Sequence, residues 1–188
     1  MAGLRRAVFL DRDGVIIEDV DFLTRKEDMR LVPGAAAALR RLAAAGLRVI
    51  VVTNQSGVAR GYLSLGALEG IHRELRRRLL ERGAAVHAIY FCPHHPRVGA
   101  RVRCECRKPR PGMLERARRR FGLDMARSFM VGDRVLDVET ARNAGCAAVL
   151  VRTGKGGRDR QGGPRPDAVC RDIGGAATWI LRRVRHGE

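Results

Sequence analysis

The sequence has few aromatic residues and lacks long hydrophobic runs. Its 188 residues include one Trp, two Tyr and five Phe, so aromatic residues make up 4% of the chain. Binding of single-stranded nucleic acid by stacking needs aromatic side chains, and this mode is therefore disfavoured.

No apolar run approaches the roughly 18 residues of a membrane-spanning helix. The apolar stretch at residues 7–10 is too short for a secretory signal, so we expect a cytoplasmic protein without a membrane partner.

Cysteine is also scarce, with five residues in the chain. A chain of this size buries about 70% of its unfolded surface and needs no disulfide framework. Hydrophobic residues make up 45% and charged residues 30%, a balance typical of globular proteins. We predict a single domain over residues 1–188. No second apolar block is large enough for a cap domain. The absence of a cap permits a monomer, which is the state that we expect.

Positive charge dominates the composition. The chain has 37 Lys and Arg against 20 Asp and Glu, a net charge of +17, and only Lys26, Lys108 and Lys155 are lysines. Two explanations stay open. Arg, Ala and Gly have GC-rich codons, so the Arg excess can reflect genome composition, which is the simpler explanation. Alternatively, the charge serves a polyanionic partner, since a basic surface speeds association with phosphorylated ligands and nucleic acid.

Short apolar stretches alternate with amphipathic ones along the chain. The apolar stretches are predicted to form buried strands at residues 7–10, 47–52, 86–91, 129–131 and 147–151. The amphipathic stretches are predicted to form helices at residues 33–45, 64–82, 111–121 and 136–144. This alternation predicts an α/β fold, a Rossmann-like parallel sheet with helices on both faces. Ligands in such folds bind at the carboxyl ends of the strands.

Three connections interrupt the alternation. Residues 14 to about 32 have mixed charges and are predicted to form a flap. Residues 92 to about 110 are rich in Pro, Arg and Cys. Residues 152–166 are rich in Gly and charge, and we expect a mobile loop near the site.

Chemically useful side chains occur where predicted strands end. Asp11 and Asp13 form a carboxylate pair that can bind a hard cation, or divide the work between a nucleophile and an acid/base group. Thr53 and the backbone after it can cradle a phosphate, and Lys108 can add a point charge. Asp133 can complete a metal site with the first pair. Each feature alone also fits a polar turn or a solvated loop, but together they supply what phosphoryl transfer needs.

Asp137 follows Asp133 by four residues, at the start of a predicted helix. An acidic residue is common at such a position, because it accepts hydrogen bonds from the first backbone N–H groups. We interpret Asp137 as an ordinary helix-start residue.

The four motifs around these residues resemble those of the haloacid dehalogenase-like phosphatases. The resemblance implies that Asp11 is the nucleophile that forms an aspartyl-phosphate. Asp13 would protonate the leaving group and then activate water. Thr53 and Lys108 would stabilise the phosphoryl group. The resemblance also implies a catalytic Mg²⁺ held by Asp11, the Asp13 carbonyl and Asp133, on a haloacid dehalogenase-like fold without a large cap domain.

Residues 92–110 contain a further motif. Cys92 and His94 are followed, after nine residues, by Cys104 and Cys106. Three thiolates and an imidazole suit tetrahedral Zn²⁺. Free buried thiols and a disulfide are the alternatives, and a disulfide is disfavoured in the cytoplasm. We predict a structural zinc that folds this zinc-binding loop and places Lys108 nearby.

The zinc loop and residues 53–61 resemble those of the D,D-heptose 1,7-bisphosphate 7-phosphatases and the similar histidinol-phosphate phosphatases. The resemblance runs from about residue 8 to residue 154. It implies Mg-dependent removal of the 7-phosphate from a heptose bisphosphate, in nucleotide-activated heptose biosynthesis, with a small phosphorylated sugar as partner. It also implies substrate contacts in the flap, after the second strand and beside two motif residues. These are Asp19, Val20, Asp21, Phe22, Asn54, Gln55, Ser56, Arg107 and Arg134.

Other activities stay open. A histidinol-phosphate phosphatase uses the same core with a different flap, and the flap here lacks the His-Gly-Tyr pattern common in the heptose enzymes. Polynucleotide 3′-phosphatases share a similar Thr-Asn-Gln motif, although they do not usually carry this zinc loop. A basic zinc module that only binds nucleic acid is disfavoured, because a pure binder has no use for Asp11 and Asp13 together. We therefore expect no specific nucleic-acid partner.

Overall fold

The computed structural model describes residues 4–99 and 103–186. Residues 100–102 of the predicted zinc loop, and residues 1–3 and 187–188 of the predicted domain, lie outside the described residues. The core of the fold is a six-stranded sheet in which every neighbouring pair is parallel. The strands are β1 (Ala7–Leu10), β2 (Arg48–Asn54), β3 (Ala88–Cys92), β4 (Phe129–Gly132), β5 (Ala147–Val151) and β6 (Ala168–Cys170). Their order across the sheet is β3-β2-β1-β4-β5-β6.

Helices connect the strands. They are α1 (Ala35–Ala44), α2 (Leu65–Leu80), α3 (Gly112–Phe121), α4 (Val135–Ala144) and α5 (Ile173–Arg185), with a short 3₁₀ turn at Lys26–Asp28. The helix ends follow local chemistry. The Ser64 hydroxyl accepts a hydrogen bond from the Ala67 N–H and so begins α2. Gly122 and Gly145 adopt the left-handed conformation that ends α3 and α4.

Alternate residues of each strand face opposite sides of the sheet. Val8 and Leu10 of β1 pack in a core cluster with residues of α1, α2 and α5. Ala7 and Phe9 pack in a second cluster with residues of α3 and α4. The predicted parallel sheet with helices on both faces is therefore confirmed.

β6 and α5 were not predicted. β6 has only three residues, and the Val169 side chain at its centre is half exposed, so no apolar run marks the strand. α5 has Gly174 and Gly175 in its first turn, which weakens the helical pattern. The Asp172 carboxylate compensates by accepting a hydrogen bond from the Gly175 N–H.

The flap packs against the domain core. Val15, Ile16 and Ile17 are almost fully buried, as is Met29 near the other end of the flap. Beyond isolated bridges and the 3₁₀ turn, no regular element occurs in the flap, and the described residues include no large cap. Among the described residues, no helix has the length and apolar character needed to cross a membrane.

The strand order places the site. β1 lies between β2 on one side and β4 on the other. The chain therefore adds β2 and β3 on one side of β1, and then adds β4, β5 and β6 on the other side. Such a reversal leaves a crevice at the carboxyl ends of the strands. Asp11 directly follows β1 and Asp133 directly follows β4, and both therefore lie at this crevice.

Candidate active site

Lys108 lies buried between two carboxylates. Its Nζ is 2.8 Å from Asp11 Oδ2 and 2.6 Å from Asp137 Oδ1. The Asn54 side chain fixes the Lys108 backbone, because its Nδ2 donates to the Lys108 carbonyl at 3.2 Å and its Oδ1 accepts from the Lys108 N–H at 3.0 Å. Asn54, predicted to contact substrate, thus also holds Lys108 in place.

Asp137 has two functions in this arrangement. Its Oδ2 accepts a hydrogen bond from the Arg134 N–H at the start of α4, as predicted for a helix-start residue. Its Oδ1 contacts Lys108, which sequence reasoning missed. Gly132 makes room for it, since a Cβ there would lie 2.2 Å from the Asp137 Cβ. The four-residue spacing from Asp133 was the available signal.

Three carboxylates gather around one buried ammonium. Oxygen atoms of Asp11, Asp133 and Asp137 lie within 4.8 Å of one another. Burial raises the pKa of Asp11 above its usual value despite the neighbouring Lys108. Burial also raises the pKa of Asp133, to about 6. Burial alone would lower the pKa of Lys108, but the ion pairs with Asp11 and Asp137 outweigh it and raise this pKa.

This cluster fits a magnesium ion. Its ligand atoms are all carboxylate oxygens, which Mg²⁺ prefers. Three carboxylates against one ammonium leave an excess of negative charge that a dication neutralises. The predicted set contained Asp11, Asp133 and the Asp13 carbonyl. The structure places Asp137 beside this set, with its oxygens bonded to Lys108 and to the Arg134 N–H. The Asp13 side chain points instead to Arg12 and Gln55.

Adding Mg²⁺ to metal-free protein should raise its Tm, and the rise should be larger near pH ~8 than near pH ~5. Raised pKa values mean that Asp11 and Asp133 still hold protons at the lower pH, and these protons must leave before the cation binds. The affinity therefore increases as pH rises through the pKa of Asp133, at about 6. Thermal unfolding with and without Mg²⁺ measures the effect.

The control for this experiment is Asp172→Asn, which lies outside the crevice and should keep the full Mg²⁺ response. Asp133→Asn should lose most of it. An equal Tm rise at both pH values would contradict the assignment.

The loop after β5 closes the site from one side. The Thr153 hydroxyl donates to the Gly14 carbonyl at 2.6 Å, and the Lys155 N–H donates to Asp133 Oδ2 at 2.6 Å. The Gly157 N–H donates to the Asp133 carbonyl at 2.7 Å. Gly14 has φ +76°, and a Cβ there would lie 2.5 Å from Asp133 Oδ2, so only glycine fits. The sequence placed this loop near the site but gave no sign of these bonds.

The flap reaches the same crevice. Lys155 Nζ is 2.8 Å from Asp21 Oδ1 and 3.4 Å from Asp19 Oδ2. Arg134 lies 3.9 Å from Asp19. Phe22 packs edge-on against Tyr62, with ring centroids 4.8 Å apart.

The structure brings most predicted site residues together. Asp11, Asp13, Thr53 and Lys108 line one crevice with all of the predicted substrate-contacting residues except Val20. Val20 is half exposed and is not among the residues that line it. Asp133 is not among the residues that line the crevice, and 1% of its surface is exposed.

The predicted zinc ligands lie together beside the crevice. Cys92 Sγ is 3.6 Å from both Cys104 Sγ and His94 Nδ1, and Cys106 Sγ is 3.4 Å from His94 Nδ1. All four ligand atoms lie within 4.8 Å of one another. Sulfur atoms about 2.3 Å from a tetrahedral zinc would be about 3.8 Å apart, so the cluster fits Zn²⁺.

Arg107 connects the Cys/His cluster to the crevice. This residue lies between Cys106 and Lys108, and its guanidinium donates to the His94 carbonyl at 3.0 Å. Cys92 is the last residue of β3, which pairs with β2 up to Asn54. The cluster therefore fixes the segment that carries Arg107 and Lys108 at the end of the sheet.

Two family models match the chain. Residues 8–66 match a haloacid dehalogenase-like hydrolase model, and residues 105–176 match a HAD-hydrolase-like model. Together they cover the segments that contain Asp11, Asp13, Thr53, Lys108 and Asp133.

Curated relatives and solved structures match over nearly the whole chain. A D-glycero-D-manno-heptose-1,7-bisphosphate 7-phosphatase from Thermosynechococcus vestitus is 42% identical, over 96% of this chain and 97% of the relative. The D-glycero-beta-D-manno-heptose-1,7-bisphosphate 7-phosphatase of Pseudomonas aeruginosa is 41% identical, over 95% and 99%. The crystal structure of D,D-heptose 1,7-bisphosphate phosphatase from B. bronchiseptica, complexed with magnesium and phosphate, superposes with a TM-score of 0.86. It is 39% identical and covers 95% of this chain and 99% of that one. The chain therefore belongs to the haloacid dehalogenase-like hydrolases, in the family of the D-glycero-D-manno-heptose-1,7-bisphosphate 7-phosphatases.

Proposed function

We propose that the chain removes the 7-phosphate from D-glycero-D-manno-heptose 1,7-bisphosphate, as a step in nucleotide-activated heptose biosynthesis. The observation that carries this proposal is the crevice that Asp11, Asp13 and Lys108 share with two half-buried arginines, Arg107 and Arg134. A bisphosphate has a second phosphate besides the one that reacts, and the arginines offer positive charge for it. The relatives that match nearly the whole chain carry the name of this activity.

In the first chemical step, an Asp11 carboxylate oxygen attacks the phosphorus atom of the 7-phosphate. The bond between phosphorus and the sugar oxygen breaks, and its electron pair stays on that oxygen. Asp13 gives its proton to the same oxygen, so the sugar leaves with a neutral hydroxyl group at that position and keeps its 1-phosphate. Lys108 and the Thr53 hydroxyl stabilise the phosphoryl oxygens.

In the second step, a water molecule attacks the phosphorus of the aspartyl-phosphate while Asp13 takes its proton. The bond between phosphorus and the Asp11 oxygen breaks, which releases inorganic phosphate and restores the Asp11 carboxylate. Bound Mg²⁺ supplies positive charge next to the phosphoryl group. Asp11, Asp133 and the Asp13 carbonyl would hold it, with Asp137 beside them.

The predicted substrate-contacting residues form two groups: side chains that face the crevice, and amides that already hydrogen-bond other residues of the protein. Ser56, Arg107 and Arg134 line the crevice, as do Asp19, Asp21 and Phe22 of the flap. We propose that these six contact the sugar and its second phosphate. The amides of Asn54 and Gln55 already bond within the protein, to the Lys108 backbone and to Asp13. They would act on the substrate mainly through those neighbours.

Zinc is proposed as the structural metal of the loop. Protein purified without chelator should contain about one zinc per chain, held by the four clustered ligands. Cys104→Ser should remove most of this zinc and lower Tm by at least about 5 °C, which is about 2 kcal/mol for a chain of this size. Elemental analysis and thermal unfolding measure the two effects together.

Cys146 supplies the matched control. It is a buried cysteine outside the cluster, and Cys146→Ser should therefore keep its zinc. Absence of zinc from the parent protein, or normal zinc content in Cys104→Ser, would contradict the proposed site.

Substrate choice tests the proposed function. We expect kcat/KM for the heptose bisphosphate to exceed that for histidinol phosphate and for a 3′-phosphorylated oligonucleotide by at least about 10-fold. Histidinol phosphate has no second phosphate for Arg107 and Arg134, and the other phosphates of the oligonucleotide are singly charged diesters that are not on the reacting sugar as a second monoester. Phosphate release at physiological salt measures this, with Asp11→Asn as the control for contaminating phosphatases. An oligonucleotide that reacts as well as the bisphosphate would replace the sugar assignment with the polynucleotide one.

Four further expectations stay predictions. They are a single domain over residues 1–188, a cytoplasmic location, a monomeric state and the lack of a specific nucleic-acid partner.

A further inference from the structure

Arg12 lies inside the protein although it is charged. It stands between Asp11 and Asp13 in the chain, and 1% of its surface is exposed. A buried guanidinium loses its hydration, and apolar residues of similar volume are often as good or better for stability. Its contacts show what this arginine holds.

Arg12 and Gln55 both hydrogen-bond the Asp13 carboxylate. Arg12 Nη2 lies 2.9 Å from Asp13 Oδ1, and its Nε lies 3.2 Å from both carboxylate oxygens. Gln55 Nε2 donates to Asp13 Oδ2 at 2.8 Å, and Gln55 Oε1 accepts from Arg12 Nη2 at 2.9 Å. The three side chains close a ring of hydrogen bonds, so the carboxylate plane cannot turn without breaking one of them.

His72 holds the far end of the guanidinium. Arg12 Nη1 is 3.3 Å from His72 Nε2. A guanidinium has no acceptor, so Nε2 must accept this bond and the imidazole must be neutral. Burial and the nearby Arg12 lower the pKa of His72 to about 3, which keeps the ring neutral at working pH. The ring is buried and packs beside Phe91, with ring centroids 5.2 Å apart.

We propose that Arg12 and His72 are positioning residues that hold the Asp13 carboxyl group toward the leaving-group oxygen. This inference rests on the proposed function, in which Asp13 protonates that oxygen. His72 lies in α2, more than 50 residues from the Asp11–Asp13 motif in sequence, so α2 contributes to the site through Arg12. Neither residue needs to touch the substrate.

Leaving-group dependence separates positioning from general damage. The sugar oxygen of an alkyl phosphate needs a proton as it departs, whereas p-nitrophenolate leaves without one. A displaced Asp13 should therefore slow the sugar phosphate selectively. The ratio of kcat/KM for the heptose bisphosphate to that for p-nitrophenyl phosphate reports this, because kcat/KM covers the step in which the leaving group departs.

Arg12→Met should lower kcat/KM for the bisphosphate about 100-fold, within the range for losing one acid/base contribution, and that for p-nitrophenyl phosphate less than about 10-fold. His72→Leu should lower the first about 10-fold and the second less than about 3-fold, because Arg12 remains but loses its anchor. His72→Gln offers an amide oxygen as acceptor and should recover the parent ratio to within about 3-fold.

Ile71→Ala is the matched control. Ile71 precedes His72 in α2 and is buried in the core, so its truncation should lower Tm without changing the ratio of the two substrates. An equal loss on both substrates in His72→Leu and Arg12→Met would overturn the inference, as would no loss in either. A His72→Gln variant as selective as His72→Leu would overturn the role of His72.

Asp13→Asn separates this inference from the proposed function. If Asp13→Asn shows the selective loss and the Arg12 and His72 variants do not, the positioning role alone fails. If Asp13→Asn instead lowers kcat/KM for both substrates by the same factor, Asp13 is not the acid, and the proposed mechanism fails together with the positioning role.

Discussion

Asp11→Asn should lower kcat at least about 10³-fold while the protein stays folded, because an amide cannot attack phosphorus and loss of a nucleophile can cost about 10⁶-fold. No aspartyl-phosphate can then form at position 11. Steady-state phosphate release measures the loss, and acid quenching with labelled substrate shows whether phosphate becomes attached to the protein. A variant that keeps more than about a tenth of the parent kcat would exclude Asp11 as the nucleophile.

The stability of the same variant follows from the electrostatics of the site. Burial raises the pKa of Asp11, which means that its ionised form is disfavoured in the metal-free protein. A neutral amide removes that cost, and Lys108 keeps its partner Asp137. The metal-free Tm of Asp11→Asn at neutral pH should therefore equal or exceed that of the parent. Asp172→Asn, the same change at a helix start outside the crevice, should keep full activity because Asn is an equally good N-cap.

The sequence predicted correctly those features in which a residue type has a single structural role, such as apolar residues in buried strands and glycines at helix ends. Strands such as β1 and β5 are continuous apolar runs because both faces of a parallel sheet are buried, and both strands have the predicted bounds. Glycines mark the ends of α3 and α4, since they adopt a conformation that other residues avoid. The edge strand β6 has no apolar run by which it could be predicted, because the Val169 side chain at its centre is half exposed to solvent.

Side chains with two functions were harder to predict. The motif around Asn54 and Gln55 suggested substrate contact, but the structure shows their amides bonding Lys108 and Asp13. Asp137 both begins α4 and pairs with Lys108. Such contacts join residues that are far apart in sequence, and a single sequence carries no information about which distant residue an amide or carboxylate will face.

Arg12 and His72 illustrate the same limit. In the sequence, Arg12 lies between Asp11 and Asp13, and nothing near His72 indicates that the two side chains meet. Only the packing of α2 against the sheet places the imidazole 3.3 Å from the guanidinium. The four predicted zinc ligands are the opposite case, since two short Cys/His pairs in the sequence predicted a cluster, and their four ligand atoms do lie together.

Lys108→Met should lower kcat about 10²- to 10³-fold, the range for removing one group that stabilises transition-state charge. The ammonium lies between Asp11 and Asp137, and it therefore lies beside the proposed nucleophile. Its removal also leaves buried carboxylates without a cation, and breaking a buried pair in this way costs about 3–5 kcal/mol. Activity and thermal unfolding should therefore both change, unlike in Asp11→Asn, where only activity is lost.

The dependence on pH and Mg²⁺ distinguishes this explanation from a simple packing defect. Burial already raises the pKa of Asp11 with Lys108 present, and without the ammonium that pKa rises further. A raised carboxyl pKa makes the folded state less stable as pH increases, so the Tm deficit of Lys108→Met should be larger near pH ~8 than near pH ~5. Mg²⁺ should restore more Tm in the variant than in the parent, because the dication replaces the retained carboxyl proton and no ammonium then repels it. Lys26→Met, at an exposed lysine, should change none of these quantities, and a Lys108→Met deficit that is independent of pH and Mg²⁺ would show that Lys108 acts by packing alone.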